Sequence, residues 1–226
     1  MSRDEYFLSY RKSPEEMDAL WAAGWRHFGV FFFRYRRTVL EGRRCTVQPL
    51  RVDLARFAPS RSQRRVLARN RDLRLAVRPS FVDGEKLDLF RRHRRRFSTN
   101  VPESLYDFLS FDPAVVPCPG VEVCAYAGER LVAASFLDVG RRATSAVYAM
   151  FEPDESRRSL GILTMLVAID FTRGRGGSHY YPGYACHEPS IYDYKKNFAG
   201  LEAFDWRGRW RPIEPGRAEE AGPPAR

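Results

Sequence analysis

Apolar and polar residues alternate with two different periods along this 226-residue chain. Segments with a period of two are typical of strands, and segments whose apolar residues recur every three or four positions are typical of helices. The pattern predicts strands at residues 30–36, 46–54, 72–79, 121–127, 130–139, 143–151 and 178–185. It predicts helices at residues 13–24, 84–97, 102–111, 156–176 and 190–197, and one more that begins at Ser60. This mixture indicates an α+β protein.

Two of the predicted helices carry a sequence signal for their start. Ser13 is followed three residues later by Glu16, and Ser60 by Gln63. A serine at this distance from Glu or Gln forms a capping box, in which each residue satisfies a backbone amide of the other. The helix from Ser60 has few apolar positions, so it either faces solvent broadly or contacts a charged partner.

Positive charge is concentrated in the first half of the chain. Residues 1–100 contain 24 Lys and Arg against 11 Asp and Glu, whereas residues 101–226 contain 14 against 17. A genome-wide preference for arginine would act on both halves equally. The difference therefore indicates a first half that binds a polyanion, joined to a nearly neutral second half.

The second half has a recognisable order of elements. Three strands at hairpin spacing, a helix and a further strand resemble the central layout of the GNAT acyltransferase fold, in which the helix N-terminus receives a phosphate-bearing acyl donor. The candidate oxyanion- or phosphate-binding residues at that start are Arg158, Ser159, Leu160 and Gly161. Leu163 stands where the GNAT phosphate loop has a small residue, which argues against coenzyme A as the donor.

The proline-rich residues 112–120 are the best candidate for a boundary between parts. The expected organisation is a basic N-terminal α/β subdomain, a connection, a GNAT-like transferase domain and a disordered tail. These parts correspond to residues 1–111, 112–120, 121–211 and 212–226.

Cysteine spacing and hydropathy exclude several other classes of protein. Cys45, Cys118, Cys124 and Cys186 are scattered without paired spacing, which predicts reduced thiols and no metal site. No apolar run approaches the ~18–20 residues of a membrane span, and the first residues lack the apolar core of a signal peptide. A cytoplasmic protein without a membrane partner is expected.

Ordered motifs in both halves carry a more specific resemblance. The string F-x-P-S-R-S-Q-R-R at residues 57–65, the segment from Tyr148 to Asp154, Ser159-Leu160-Gly161, Tyr181-Pro182-Gly183-Tyr184 and the lysines before Phe198 follow one another. Together they resemble the aminoacyl-tRNA–protein transferases, the arginyl- and bacterial leucyl-transferases of protein N-termini, over roughly residues 6–210. That family usually carries a cysteine cluster for zinc or an iron–sulfur cluster in its first domain, whereas this chain has Cys45 alone there.

The resemblance implies a reaction and a set of residues. An N-terminal amine attacks the aminoacyl ester of a charged tRNA, and an acidic first residue of the acceptor favours a cationic pocket. No cofactor or metal is expected, because the conversion of an ester to an amide runs downhill. Candidate catalytic or positioning residues are Tyr148, Glu152, Asp154, Tyr184 and Lys195. Candidate tRNA contacts are Arg61, Gln63, Arg64, Arg65 and Arg69.

Two alternatives stay open at the level of the sequence. One is a GNAT acetyltransferase that uses acetyl-CoA, and the other is a non-catalytic RNA-binding relative, suggested by the missing cysteines. Whether leucine or arginine is transferred is also open, because leucine needs an apolar donor pocket and arginine an acidic one.

Overall fold

The computed structural model describes residues 4–40 and 42–213. Its helices are α1 (Pro14–Ala22), α2 (Arg61–Arg69), α3 (Gly84–Arg94) and α4 (Leu160–Gly174). Its strands are β1 (Glu5–Leu8), β2 (Arg26–Phe28), β3 (Phe31–Arg34), β4 (Arg37–Leu40), β5 (Arg43–Asp53), β6 (Arg74–Pro79), β7 (Gly120–Ala127), β8 (Arg130–Val139), β9 (Ala143–Phe151), β10 (His179–Cys186), β11 (Leu201–Phe204) and β12 (Trp210–Pro212). Of the predicted tail, residues 214–226 lie outside the described residues. Within the described part of the chain, no helix is both long and apolar enough to cross a membrane.

Most of the strands belong to one large sheet with the order β12-β11-β5-β10-β9-β8-β7-β6, and β4 pairs with β5 beside this path. Neighbours are antiparallel except β9 and β10, which are parallel. The run of antiparallel β7, β8 and β9, then α4, then parallel β10 is the GNAT-like layout expected from the sequence. The α+β prediction is confirmed. A second sheet has the order β1-β3-β2.

The large sheet combines strands from both halves of the chain. β5 lies between β10 and β11, and β6 pairs with β7 along its whole length. Both β5 and β6 precede the predicted boundary at residues 112–120. That boundary therefore does not divide the sheet, because each half supplies strands that the other needs as hydrogen-bonding neighbours.

Helix α4 packs its apolar residues against the sheet in two groups. Ala168 and Ile169 lie in a buried cluster with Val52 of β5. Near the start of the helix, Leu163 lies in another cluster with Val66 of α2. The side chain of Leu163 thus belongs to the hydrophobic core, and α2 is held beside the N-terminal turn of α4.

The structure confirms both predicted capping boxes and corrects three predicted helices. Ser13 with Glu16, and Ser60 with Gln63, make both reciprocal bonds. Residues 102–111 contain only a 3-10 turn, Leu105–Asp107, because the carboxylate of Asp107 accepts the amides of two preceding residues, and these bonds replace helical ones.

The other two helices are shorter than predicted. Within residues 190–197 only Asp193–Lys196 form a 3-10 turn, and the Asp193 carboxylate accepts the Ser190 amide at 3.0 Å. The predicted helix 156–176 begins at Leu160, because Ser159 has a φ of +55° and separates α4 from a preceding 3-10 turn, Pro153–Arg158.

A disulfide joins Cys45 of β5 to Cys186 of β10, with the Cα atoms 5.6 Å apart. The prediction of reduced thiols is wrong for this pair. The two cysteines are 141 residues apart in sequence, but β5 and β10 are antiparallel neighbours, and Cys186 is in register with Val47, two residues from Cys45. Cys118 and Cys124 are buried free thiols.

We expect the denatured, unreduced protein to titrate two thiols per chain with Ellman's reagent, and four after reduction. Closing so long a loop restricts the unfolded chain, so Cys45→Ser should lower the free energy of unfolding by up to about 5 kcal/mol in non-reducing buffer. In dithiothreitol the wild type and the variant should unfold at similar temperatures. Four titratable thiols before reduction would contradict the pairing.

Candidate active site between β9 and β10

A gap opens in the large sheet where β9 and β10 part. Their parallel pairing covers only the first residues of each strand, ending with Tyr181 opposite Ser145. β9 continues to Phe151 and β10 to Cys186 without pairing to each other. We call the space between residues 146–151 and 183–186 the β9–β10 gap. Backbone groups that face it need hydrogen-bond partners from outside the sheet.

Two cationic side chains supply donors to these backbone groups. The guanidinium of Arg26, on β2, donates to the Ser145 hydroxyl and to the Ala146 carbonyl at the point where the pairing ends. The ammonium of Lys195 donates to the Tyr184 carbonyl at 3.1 Å. Each side of the gap is therefore held by a positively charged group.

Gly183 lies against both cations. It has a φ of +99°, and it follows an irregularity in the pairing of β10 with β5. A Cβ atom at this position would lie 3.5 Å from Nη2 of Arg26 and 3.5 Å from Nζ of Lys195. The left-handed conformation and this close approach both favour glycine here. Arg26 and Lys195 are thus near neighbours.

The proximity of the two cations changes their acid–base properties. Burial, together with the charge of Arg26, lowers the pKa of Lys195 to about 7. Burial also lowers the pKa of Arg26. Within residues 4–40 and 42–213, no carboxylate forms an ion pair with either side chain. At neutral pH, Lys195 therefore exchanges a proton readily, while Arg26 stays charged.

Tyr184, a predicted catalytic or positioning residue, lies beside Arg26 with its hydroxyl engaged. The hydroxyl donates to the Gly24 carbonyl at 2.7 Å, and the ring contacts Tyr35 and Phe33 edge-on. Burial raises the pKa of Tyr184, so its hydroxyl stays protonated. These contacts fit a residue that positions β10 rather than one that exchanges protons.

Tyr148 presents a hydroxyl that no other described residue binds. Its ring stacks on Phe108 with the centroids 4.1 Å apart, and burial raises the pKa of its hydroxyl. A buried hydroxyl without a partner is costly unless a substrate provides one. Tyr148 is therefore available as a hydrogen-bond donor on the β9 side of the gap.

The two carboxylates among the predicted catalytic or positioning residues both form ion pairs with arginines. Glu152 is buried and lies 2.6 Å from Arg92 and 3.3 Å from Arg130. Asp154 is exposed and lies 2.9 Å from Arg130. Their oxygens are bound by guanidinium groups, so this geometry favours a structural role for Glu152 and Asp154 in the link from β9 to α4.

The N-terminus of α4 keeps free backbone donors, but Arg158 is not among its available cations. The first intrahelical bonds run from the amides of Ile162 and Leu163 to the Ser159 carbonyl, so the amides of Leu160 and Gly161 precede them. The guanidinium of Arg158 forms two 2.9 Å bonds to Asp72 and one of 2.8 Å to Glu155. The amides of Leu160 and Gly161 therefore remain candidate oxyanion or phosphate ligands, whereas the guanidinium of Arg158 is already bound by carboxylates.

The predicted tRNA contacts on α2 divide into exposed arginines and one buried amide. Arg61, Arg64, Arg65 and Arg69 are exposed, and no carboxylate in the described ranges pairs with them. Gln63 is buried, closes the capping box and donates to the Asn197 carbonyl at 3.0 Å. Its polar atoms are thus used inside the protein, which favours a structural role, and its role as a tRNA contact stays a prediction.

Two contacts place α2 along the mouth of the gap. Gln63 binds the carbonyl of Asn197, two residues after Lys195, and Arg69 donates to the carbonyl of Arg157, just before α4. The exposed arginines thus lie beside both the lysine turn and the N-terminus of α4. A polyanion bound to α2 would pass the entrance of the β9–β10 gap.

A buried cluster of His27, Cys118 and Asp138 has the residue types of a metal site. His27 Nε2 and Asp138 Oδ2 are 2.5 Å apart, and His27 Nδ1 is 2.8 Å from the Gly29 carbonyl. Ligand atoms of a tetrahedral zinc lie roughly 3.3–3.5 Å apart. These residues do not fit a metal as they stand and are explained as a hydrogen-bonded set. The expectation of no metal or cofactor stays a prediction.

The sequence pattern did not single out Arg26. It stands in the string GWRHF, which contributed only to the overall resemblance, and its two bonds reach residues 119 and 120 positions away. A charged residue between aromatic ones on a short strand was the available signal. Lys195 was predicted, whereas its closeness to Arg26 was not.

Solved structures resemble the chain only in part. FemX matches with a TM-score of 0.48, 10% identity, 77% coverage of this chain and 61% of that chain. A GCN5-related N-acetyltransferase from Kribbella flavida matches with a TM-score of 0.40, 15% identity and coverages of 74% and 56%. The fold assignment therefore rests on the strand order described above.

Family profiles match most of the chain. The profile for the arginine-tRNA-protein transferase N terminus matches residues 1–65, and that for its C terminus matches residues 85–205. An aspartate/glutamate leucyltransferase of Xanthomonas euvesicatoria is 33% identical over 180 residues, covering 71% of this chain and 68% of the relative. That of Stenotrophomonas maltophilia is 32% identical over 173 residues, covering 73% and 68%. The chain therefore belongs to the arginine-tRNA-protein transferase family, and it is an acyltransferase that uses aminoacyl-tRNA to modify the N-termini of proteins.

Proposed function

We propose that this protein transfers leucine from leucyl-tRNA to the N-terminal amine of proteins that begin with Asp or Glu. The names of its relatives, aspartate/glutamate leucyltransferases, support both the donor and the acceptors. Charged tRNA as a co-substrate makes the cytoplasm the expected location.

The observation that carries this proposal is the charge of the β9–β10 gap. Arg26 and Lys195 line it without a carboxylate partner among the described residues, with tyrosine rings near both cations. An arginyl side chain on the donor would be repelled by these cations, whereas a leucyl side chain packs against aromatic rings without a charge cost. The same cations attract an acidic acceptor.

The reaction needs little beyond alignment and a neutral amine. The amine nitrogen attacks the ester carbon, the C–N bond forms, the C–O bond to the terminal ribose breaks, and the ribose oxygen takes the proton that the amine releases. A free N-terminal amine has a pKa of about 7.7–8.0. Nearby cations lower that pKa further, so a substantial fraction of bound acceptor is neutral without a dedicated base.

Stabilisation of the oxyanion falls to donors on the β9 side of the gap. Tyr148 has a protonated hydroxyl with no partner in the described ranges, and the amides of Leu160 and Gly161 precede the first bonds of α4. A preorganised donor aimed at a developing oxyanion typically contributes 10²–10³-fold in rate. Among the candidates, Tyr148 is the one that a conservative substitution isolates.

The decisive experiment offers the purified protein labelled leucyl-tRNA or arginyl-tRNA, each with peptides beginning with Asp, Glu, Asn or Ala. We expect leucine to appear on the Asp and Glu peptides and little label on the others. Transfer of arginine instead would overturn the proposed donor. Absence of transfer from any aminoacyl-tRNA would overturn the proposed function.

Substitution of Tyr148 tests the oxyanion donor. Tyr148→Phe removes an unsatisfied hydroxyl and keeps the ring stack on Phe108, so the protein should be as stable as the wild type or slightly more stable. We expect kcat to fall about 10²-fold with little change in KM. As the control, Tyr184→Phe should instead lower stability by about 1 kcal/mol, because its hydroxyl binds the Gly24 carbonyl. An unchanged kcat in Tyr148→Phe would exclude the donor role.

Charge reversal on α2 tests the tRNA contact. Arg61 and Arg65 are exposed and make no hydrogen bond or ion pair in the described part of the chain, so Arg61→Glu with Arg65→Glu should leave the fold intact. We expect weaker tRNA binding and a log–log salt slope about 1–2 smaller, since each phosphate contact contributes roughly 0.7–0.9.

The matched control for that variant is Arg141→Glu with Arg142→Glu. This pair is equally exposed and lies in the turn between β8 and β9, beside the C-terminal end of α4 and at the end of β9 that is distant from the N-terminus of α4. The control changes the net charge by the same amount, so it reports the non-specific part of the effect. Equal loss of tRNA affinity in both double variants would show that α2 is not a specific contact.

A further inference from the structure

Among the described residues, the pair formed by Arg26 and Lys195 lacks the carboxylate partner that comparable arginines have. Arg51, for example, lies 2.6 Å from Glu202, and Arg78 lies 2.8 Å from Glu122. Arg26 and Lys195 are half-buried and lie against the same glycine, and within residues 4–40 and 42–213 their hydrogen bonds go to neutral oxygens. Two adjacent cations removed from water without a counter-ion are costly, so their environment favours binding of an anion.

Both side chains keep donors for such an anion. A guanidinium has five N–H groups and an ammonium has three. Arg26 uses two of them on Ser145 and Ala146, and Lys195 uses one on Tyr184. Three N–H groups of Arg26 and two of Lys195 remain, and a carboxylate accepts about four hydrogen bonds.

The other ionisable groups around the pair do not neutralise it. Among the described residues, those near Arg26 are Tyr35 of β3, Asp138 of β8, and Tyr180 and Tyr184 of β10. Burial raises the pKa values of Tyr35, Tyr180 and Tyr184, so these residues are uncharged at neutral pH. The carboxylate of Asp138 is already bound by His27 at 2.5 Å.

The position of the pair distinguishes between two possible anions, a tRNA phosphate and an acceptor carboxylate. The exposed arginines suited to phosphates lie on α2, which contacts Asn197 and Arg157 at the mouth of the gap. Arg26 reaches the gap from β2, a strand of the other sheet. A donor tRNA on the α2 side therefore leaves the Arg26 side for the acceptor.

We propose that Arg26 and Lys195 together bind the side-chain carboxylate of the acceptor's first residue and so set the preference for Asp and Glu. This inference rests on the proposed function and assigns its acceptor specificity to two residues. Gly183 keeps the space between them open, and Tyr184 positions the strand that carries it.

The titration of Lys195 gives the site a pH signature. Below pH 7 both residues are charged, and above it Lys195 loses its proton in the free protein. Binding of a carboxylate raises the pKa of Lys195. When an acidic acceptor binds near neutral pH, Lys195 therefore takes up a proton from solution. The preference for Asp over the nearly isosteric Asn therefore decreases as the pH rises through 7. The Asp carboxylate raises the pKa of its own peptide amine, and the Lys195 variants report that contribution separately.

The test compares kcat/KM for otherwise identical peptides beginning with Asp and with Asn, from pH 6 to pH 9. In the wild type we expect the Asp/Asn ratio to fall about tenfold across this range, the effect of one charge-assisted hydrogen bond. Lys195→Arg should keep a high ratio at every pH, and Lys195→Met a low one. Arg26→Gln should lower the ratio throughout. Lys196→Met is the matched control, because that lysine pairs with Asp193, and it should follow the wild type.

Calorimetry provides a readout that needs no turnover. Each peptide is titrated into the wild type at pH 7.5 in two buffers of different ionisation enthalpy, which gives the number of protons taken up on binding. We expect this number to be larger for the Asp peptide than for the Asn peptide. The difference should vanish in Lys195→Met and in Lys195→Arg. This measurement distinguishes acceptor recognition from amino-acid transfer, because peptide binding is observed even if no amino acid is transferred.

Two results would overturn the inference while leaving the proposed function in place. One is an Asp/Asn ratio that stays at the wild-type value in folded Lys195→Met and Arg26→Gln. The other is that these two variants keep the wild-type Asp/Asn ratio but show a smaller salt slope for tRNA binding. That result would mean that Arg26 and Lys195 bind a tRNA phosphate. Loss of transfer from every aminoacyl-tRNA in the wild type, with calorimetric discrimination intact, would instead contradict the function and retain the site.

Discussion

The separation of β9 from β10 is the constraint on which the rest of the site depends. It leaves backbone carbonyls inside the sheet without a neighbouring strand, and an unsatisfied buried carbonyl costs about 1–3 kcal/mol. Arg26 and Lys195 satisfy the carbonyls of Ala146 and Tyr184. The groups that hold the gap open are therefore cations, so the bonds that complete the backbone also fix the electrostatics of the gap.

The first half of the chain makes this arrangement possible from both sides. β5 pairs with β10 on the side away from the gap, with an irregularity between Tyr180 and Gly183 that lets the glycine face the two cations. On β2, Arg26 and His27 contact Ser145 and Asp138, which are register partners on β9 and β8. The short strand is thus anchored at two points, which positions the Arg26 guanidinium.

Local features of this fold were predictable, and long-range ones were not. The capping boxes at Ser13 and Ser60 were read correctly because every atom involved lies within four residues. In the second box the amide oxygen of Gln63 accepts the Ser60 N–H, which leaves this side chain less free for an outside ligand than the arginines beside it. The insertion of β5 beside β10, the disulfide of Cys45 and the contacts of Arg26 depend on pairings more than 100 residues apart, for which a single sequence carries no signal.

The basic character of the first half thus divides into two kinds of positive charge. The guanidinium groups on α2 are exposed to water, where charges are screened over about 8–10 Å. Many weak contacts of this kind are typical of binding to a polyanion without a fixed position for each phosphate. Arg26 and Lys195 are half-buried, so their charges are poorly screened, and in the proposed acceptor site they distinguish ligands of the same shape by charge. Asp and Asn differ in charge far more than in size. In the proposed acceptor site, two cations without a carboxylate partner among the described residues raise the free energy of the empty site. A bound carboxylate of Asp or Glu lowers that free energy and the amide of Asn does not, so the proposed selectivity follows from charge rather than from steric fit.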